Sequence, residues 1–221
     1  MKTIAWNVDT QYDFMRADGK LYVQDAEKIE ENLEKLTKLF RNNDITIVNT
    51  GDWHNENTAE ISANPDYINT FPEHCMQNTF GAEYVNATKP SNALYVDWQD
   101  KSVDLEAIAG AKEIVLYKDM FDVFTGNPHT ESVLEKLNPE RLIVYGVATN
   151  VCVDYAVKGH LARGTNVYVV EDAIKALPNI PSPVNDWVKS GAKLIKTENA
   201  IEYIGGIETS VSKTPIKHGG D

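Results

Sequence analysis

Apolar residues in this chain fall into short, unalternating runs separated by longer stretches with helical spacing. Residues 4–8 form the first such run, and 45–49, 114–117, 142–145, 167–170 and 193–195 repeat it. A strand covered on one face alternates apolar with polar residues, whereas a strand covered on both faces is apolar nearly throughout. The six runs therefore predict strands of a buried, mainly parallel sheet. Between them, residues 25–40 carry Ile29, Leu33, Leu36, Leu39 and Phe40 at roughly 3.6-residue spacing, which predicts an amphipathic helix. Residues 130–137, 150–162 and 184–190 predict three more. Helices on both faces of such a sheet, joined by right-handed crossovers, make a three-layer α/β/α sandwich around a mainly parallel six-stranded sheet.

Residues 55–96 break this rhythm. The stretch is long and polar, holds Pro65, Pro72 and Pro90, and offers only a short strand at 93–96. A segment of that length without regular structure in a compact domain is usually functional or disordered. After Ile204 the sequence GGIETSVSKTPIKHGGD has no periodicity. The expected organisation is one domain over 1–204 and a C-terminal tail over 205–221.

Composition narrows the function classes. The 221 residues, 42% hydrophobic and 24% charged, suit a soluble globular protein with a sizeable core. A formal charge of -12 with no local Lys/Arg cluster repels phosphate backbones and argues against nucleic acid as a partner. The N-terminus meets Asp9 before any signal-type apolar stretch forms. No run approaches the roughly 20 apolar residues that a membrane span requires. Cys75 and Cys152 are the two cysteines, too few for a disulfide framework, so reduced thiols in the cytoplasm are expected.

The candidate chemistry collects at one edge. In an open parallel sheet, ligands bind beyond the carboxyl ends of the strands. Asp9 follows the first predicted strand, Asp52 and His54 the second, Lys118 the run 114–117, and Cys152 comes soon after 142–145. Cys152 ends the segment Gly146-Val147-Ala148-Thr149-Asn150-Val151-Cys152, which reads as strand, tight turn and helix start, with Thr149 or Asn150 as cap. A thiol in a first helical turn is expected to have a lowered pKa and to be reactive; a buried, inert cysteine beneath the helix fits the local pattern equally well. No histidine adjoins Cys152 in sequence, which leaves Asp9 and Lys118 as candidate partners. Separately, Asp52 and His54 lie two residues apart on one side of an extended segment, and His74 lies in the turn-rich stretch near Pro72. One carboxylate and two imidazoles suit a divalent metal, Zn²⁺ first, with Fe²⁺ and Mn²⁺ also compatible. Glu60 and Asp66 are candidates for a fourth ligand. His129, His160 and His218 read as structural or solvent-facing.

Taken together, Asp9-Thr10-Gln11-Tyr12-Asp13-Phe14, Asp52-Trp53-His54, the run from Phe71 through His74 to Glu83, Lys118 to Phe124, and Gly146 to Cys152 occur in an order that resembles the isochorismatase-like cysteine hydrolases, most closely their nicotinamidase (pyrazinamidase) branch. The resemblance runs from about Lys2 to Ile204. It implies a catalytic triad of Asp9, Lys118 and Cys152, an oxyanion hole from the backbone amides of Ala148 and Cys152, and a cis peptide between Val147 and Ala148. It implies Asp52, His54 and His74 as metal ligands, with the metal orienting the ring of a small amide substrate. Phe14, Phe71 and Phe124 match ring-flanking positions. Two departures stand out: Phe71 where this branch often has Trp, and Asn55-Glu56-Asn57 after His54 in place of a proline-containing run.

The expected activity is hydrolysis of nicotinamide or a close heteroaromatic amide, in the setting of NAD salvage. The alternatives are a family hydrolase acting on carbamoyl or ureido substrates, and a non-catalytic binding protein on the same fold. Isochorismate cleavage breaks a vinyl ether and has no use for a cysteine and a metal together. A nucleotide-binding protein would need a Gly-rich loop after an early strand, which Asp9-Thr10-Gln11-Tyr12-Asp13 does not provide. Assembly into homo-oligomers is left open, because nothing in the sequence identifies an interface.

Overall fold

The computed structural model describes residues 1–204, so the expected tail at 205–221 and His218 lie outside the described residues. Among the described residues, seven parallel strands form one sheet in the order β3-β4-β2-β1-β5-β6-β7. They are β1 (Thr3–Val8), β2 (Thr46–Asp52), β3 (Leu94–Val96), β4 (Glu113–Lys118), β5 (Arg141–Val147), β6 (Asn166–Lys175) and β7 (Lys193–Ile195). The helices are α1 (Tyr12–Met15), α2 (Glu30–Asn42), α3 (Leu105–Gly110), α4 (Val123–Gly126), α5 (Thr130–Leu137), α6 (Cys152–Ala162), α7 (Val184–Lys189) and α8 (Thr197–Ile204). The α/β/α class matches expectation, but the sheet has seven strands rather than six. The added strand is the short β3, which pairs with β4 through Leu94, Tyr95 and Val96 at the sheet edge.

The unalternating runs are explained by burial on both faces. In β1, Ile4, Trp6 and Val8 point into a core shared with Val133 of α5 and Val153 and Val157 of α6. Ala5 points into the opposite core, with Leu33, Leu36 and Phe40 of α2. Several boundaries differ from the sequence reading. A 3₁₀ turn at Ala26–Ile29 precedes α2, so the helix proper starts at Glu30. Strands β2 and β4 run on to Asp52 and Lys118, which are thus the last residues of strands rather than the first residues of loops.

The chain runs from β1 to β2, on to β3 at the sheet edge and back to β4 between them, then crosses to the other side for β5, β6 and β7. That reversal leaves a crevice at the carboxyl ends of β1 and β5, the position where open α/β sheets bind ligands. At Gly146 the backbone has φ +118, and a Cβ there would lie 2.1 Å from the Val8 carbonyl oxygen. Only glycine lets β5 approach β1 this closely before turning into the crevice. The stretch 55–93 is irregular but tied down, with bridges pairing His54 with Met76, Ile61 with Phe71, and Gln11 with Tyr84.

Candidate active site

At the end of β1 the backbone leaves the sheet through Asp9, whose φ is +46. Its amide still reaches the Thr50 carbonyl at 3.1 Å, while its carboxylate swings into the crevice. There Asp9 Oδ1 accepts a hydrogen bond from Thr50 Oγ1 at 2.6 Å, and Oδ2 lies 3.0 Å from Lys118 Nζ. Lys118 also donates to Asp52 Oδ1 and lies 3.8 Å from Cys152 Sγ. Asp9, Asp52 and Lys118 are about 1% exposed or less, so one ammonium sits between two carboxylates and the sulfur with water excluded. The structure therefore brings together Asp9, Lys118 and Cys152 from the ends of β1, β4 and β5.

Burial sets the direction of each titration. Desolvation pushes the Asp9 carboxyl up, an effect that Lys118 partly offsets. Burial acts the same way on Asp52, but Lys118 and the two imidazoles nearby hold its carboxyl well below the usual range. Lys118 would lose its proton on burial alone, yet Asp52 and Asp9 keep it charged, with its pKa well above the ordinary value. For Cys152, burial pushes the thiol pKa well up; Lys118 lowers it and Asp9 and Asp52 raise it again. The lowered thiol pKa expected from the helix terminus is thus not what the fold delivers. Cys152 is the first residue of α6, but desolvation and the two carboxylates raise its pKa further than Lys118 lowers it.

The cap differs too. Val151 is the cap residue of α6 and makes no side-chain cap bond. Asn150 instead faces the segment after β6: its amide donates to the carbonyls of Leu177 at 2.9 Å and Ile180 at 3.0 Å, and its Oδ1 accepts from the Leu177 amide. Asn150 braces the turn that carries Cys152 rather than capping the helix. The Val147–Ala148 peptide is cis. The amide of Cys152 lies in the first helical turn, where helix geometry supplies no acceptor.

Asp52, His54 and His74 converge: each offers one ligand atom, and these atoms lie within 4.8 Å of one another. Asp52 Oδ2 is 3.5 Å from Nε2 of His54 and 3.5 Å from Nε2 of His74. His74 Nδ1 is 2.8 Å from the Pro72 carbonyl; a carbonyl can only accept, so the proton sits on Nδ1 and the Nε2 lone pair is free toward Asp52. His54 is fully buried, and neither ring nitrogen has a hydrogen-bond partner among the described residues. Buried polar atoms without partners are costly, and a cation among these three residues would resolve the deficit, so the donor set fits a divalent metal. Of the two further carboxylates, Glu60 is buried, with Oε1 accepting from the Phe121 amide at 2.7 Å and Oε2 4.0 Å from His54 Nε2. Burial and the Asp52 charge raise its pKa to about 8. Asp66 is not brought there; its carboxylate accepts from the amides of Ile68, Asn69 and Thr70 in an exposed turn.

A cleft opens onto Asp52, His74 and Cys152, walled by Phe14, Leu21, Val23, Phe71, Phe121, Val147, Ala148, Val151 and Leu177. Phe14 and Phe71 flank it, with ring centroids 5.5 Å and 6.3 Å from the His74 ring. Phe124 does not. Its ring packs against Gly159 and, at 5.2 Å, His160 on α6, with the Arg163 guanidinium 3.6 Å above it. Because Asp122 caps α4, Phe124 is drawn into the helix that folds back on α6, while Phe121, just before the cap, projects into the cleft 5.4 Å from Phe71. Spacing from Lys118 does not distinguish the two phenylalanines; the helix start does. Leu177, remote in sequence from the other walls, carried no signal at all.

The fold and the site define a cysteine-bearing α/β enzyme scaffold with an acid, an ammonium and a thiol at the switch point of the sheet. The chain belongs to the Isochorismatase domain family, which it matches over residues 6–180. It is 27% identical to a nicotinamidase of Acinetobacter baylyi over 216 residues, covering 88% of this chain and 92% of that one. Among solved structures, the pyrazinamidase of Pyrococcus horikoshii in complex with zinc superimposes with a TM-score of 0.69 at 24% identity, covering 89% of this chain and 99% of that one. The N-carbamoylsarcosine amidase of Thermoplasma acidophilum gives 0.69 at 22% identity, covering 90% and 98%. These structures share the fold. Among the described residues no helix is long and apolar enough to cross a membrane.

Proposed function

We propose that this family hydrolase is a cysteine amidase that converts nicotinamide, or a close uncharged heteroaromatic amide, to the acid and ammonia. The single observation that carries the reading is the shared Lys118, which lies 3.0 Å from Asp9 and 3.8 Å from Cys152 Sγ, the sulfur belonging to a residue that lines a largely apolar cleft. The resting thiol needs a base, and Asp9, whose own pKa is raised, is matched to that task. Asp9 takes the thiol proton as the sulfur attacks the amide carbon. The S–C bond forms, the oxyanion is held by the amides of Ala148 and Cys152, and the C–N bond breaks as Asp9 passes the proton to departing ammonia. Water, deprotonated by Asp9, then attacks the thioester, releases the carboxylic acid and returns the proton to the sulfur. Lys118 stays charged throughout and holds thiolate and carboxylate together. A divalent metal on Asp52, His54 and His74 would supply a Lewis-acid contact for a ring nitrogen.

The cleft supports an uncharged flat substrate. Among the described residues its lining is mostly aliphatic and aromatic, joined by Asp52, His74 and Cys152 and holding no Arg or Lys, so the carboxylate of a ureido compound meets no basic Arg or Lys side chain there. The aromatic walls suit a single flat ring between Phe14, Phe71 and Phe121. A reducing compartment such as the cytoplasm suits a chain whose Cys75 and Cys152 are both free. An ammonia-release screen over nicotinamide, pyrazinamide and carbamoyl amino acids tests the reading. Turnover of the ring amides, abolished in a folded Cys152→Ala variant, is expected. Turnover of the carbamoyl compounds alone, or wild-type turnover by the variant, overturns it.

A further inference from the structure

Asp52 serves two sites at once: Oδ1 pairs with Lys118, and Oδ2 faces His54 and His74. What holds its main chain in place is unusual. The β1–β2 register runs from Ile4 opposite Thr46 to Val8 opposite Thr50, and β1 then peels away at Asp9. Hydrogen-bonding direction alternates along a strand, so Asp52 is the next residue of β2 whose N–H and C=O point toward β1, where strand backbone is no longer present. The side-chain amide of Gln11 stands there instead. Its Oε1 accepts from the Asp52 amide at 2.7 Å, and its Nε2 donates to the Asp52 carbonyl at 2.7 Å and to the Ala82 carbonyl at 2.9 Å. Gln11 is fully buried. Gly51 makes room for it, since a Cβ at that position would lie 2.6 Å from the Tyr84 hydroxyl and 3.2 Å from Gln11 Cδ.

We propose that Gln11 is a positioning residue whose amide stands in for a peptide unit of β1, extending the ladder by one residue so that Asp52 stays in the sheet while Asp9 leaves it. The separation this maintains puts one carboxylate on each side of Lys118 and aims the far oxygen of Asp52 at the two imidazoles. Gln11 thereby couples the cluster of His54 and His74 to the group around Cys152, acting through Asp52 and touching neither substrate nor metal.

This inference rests on the amidase reading, and its test separates the two. Gln11→Glu keeps the size and the acceptor for the Asp52 amide but turns both donors into an oxygen facing two carbonyls; Gln11→Met removes all three bonds. In the full chain, Zn²⁺ affinity is read by competition with a chromophoric chelator, and nicotinamide turnover as kcat and KM separately. The expected result is cooperative unfolding retained, Zn²⁺ affinity lowered about 10- to 100-fold, as for other residues that orient metal ligands, and kcat lowered by a similar factor with KM nearly unchanged. A variant with a lower Tm but wild-type Zn²⁺ affinity and kcat overturns the assignment. So does failure of both variants to fold, since the amide is then a folding requirement, and so does a wild-type protein without Zn²⁺ affinity. If the wild type binds Zn²⁺ but leaves nicotinamide intact, the substrate reading fails while the affinities of the two variants still decide the role of Gln11.

Discussion

Asp52 and Lys118 face each other as the last registered pair of β2 and β4, and their side chains form an ion pair with about 1–2% exposure. Such a pair gains little over an apolar isostere, but breaking it leaves a buried charge without its counterion. Here the cation also keeps two carboxylates from facing each other. Lys118→Met is expected to abolish turnover and to cost about 3–5 kcal/mol in urea unfolding at neutral pH. A loss below about 1 kcal/mol would show that the carboxylates do not depend on the ammonium.

Asp9 acts on Cys152 in two opposed ways: it accepts the thiol proton, yet its charge raises the thiol pKa. Asp9→Asn removes both effects and leaves Lys118 to lower the pKa. Amide hydrolysis is therefore expected to fall by about 10²–10⁴, while alkylation of Cys152 by iodoacetamide at pH 7 becomes faster than in the wild type. Mass spectrometry of the modified peptide measures the second effect, and slower alkylation would contradict the electrostatic account.

The two phenylalanines after Lys118 predict opposite phenotypes. Phe121→Ala opens the cleft and is expected to raise KM for a ring amide, with little change in Tm. Phe124→Ala removes the ring between Gly159, His160 and Arg163 and is expected to cost about 2–4 kcal/mol of stability with KM unchanged. Thermal melts and steady-state kinetics on both variants decide the matter.

His54→Ala and His74→Ala are expected to lose bound divalent metal while Glu60→Ala, beside them, keeps most of it. Metal removal by chelation should lower Tm and restoration should raise it, because a ligand held at 100 times its Kd stabilises the folded state by about 2.7 kcal/mol. Elemental analysis that finds equal metal in the wild type and both histidine variants would reject the site.

His160 gives an acid-stability prediction. Burial, with Arg163 nearby, lowers its pKa to about 3 from an ordinary 6.5. The unfolded chain binds a proton below pH 6.5 that the folded chain refuses until about pH 3. Stability is therefore unaffected by this group above pH 6.5 and falls by about 1.4 kcal/mol per pH unit below it. Between pH 6.5 and 5, wild type should lose about 2 kcal/mol more than His160→Met in urea titrations. Equal losses would mean that the ring finds a proton acceptor in the fold.

The sequence by itself determined the layered α/β class, because an apolar run without alternation has no stable place except between two covering layers. It also determined which strand ends carry Asp9, Lys118 and Cys152, since position along a strand follows from local pattern. Tertiary structure decided what pattern cannot encode. Asp52 closes β2 paired with Lys118 of β4, its amide and carbonyl bonded to the side chain of Gln11, and the thiol pKa rose because burial and two carboxylates from other strands raise it further than Lys118 lowers it. Phe121 rather than Phe124 entered the cleft because Asp122 starts a helix between them that packs on α6. The periodic part of the code is local and survives reading along the chain. Burial, charge proximity and the direction of a side chain depend on distances between remote segments, and these exist only once the chain is folded.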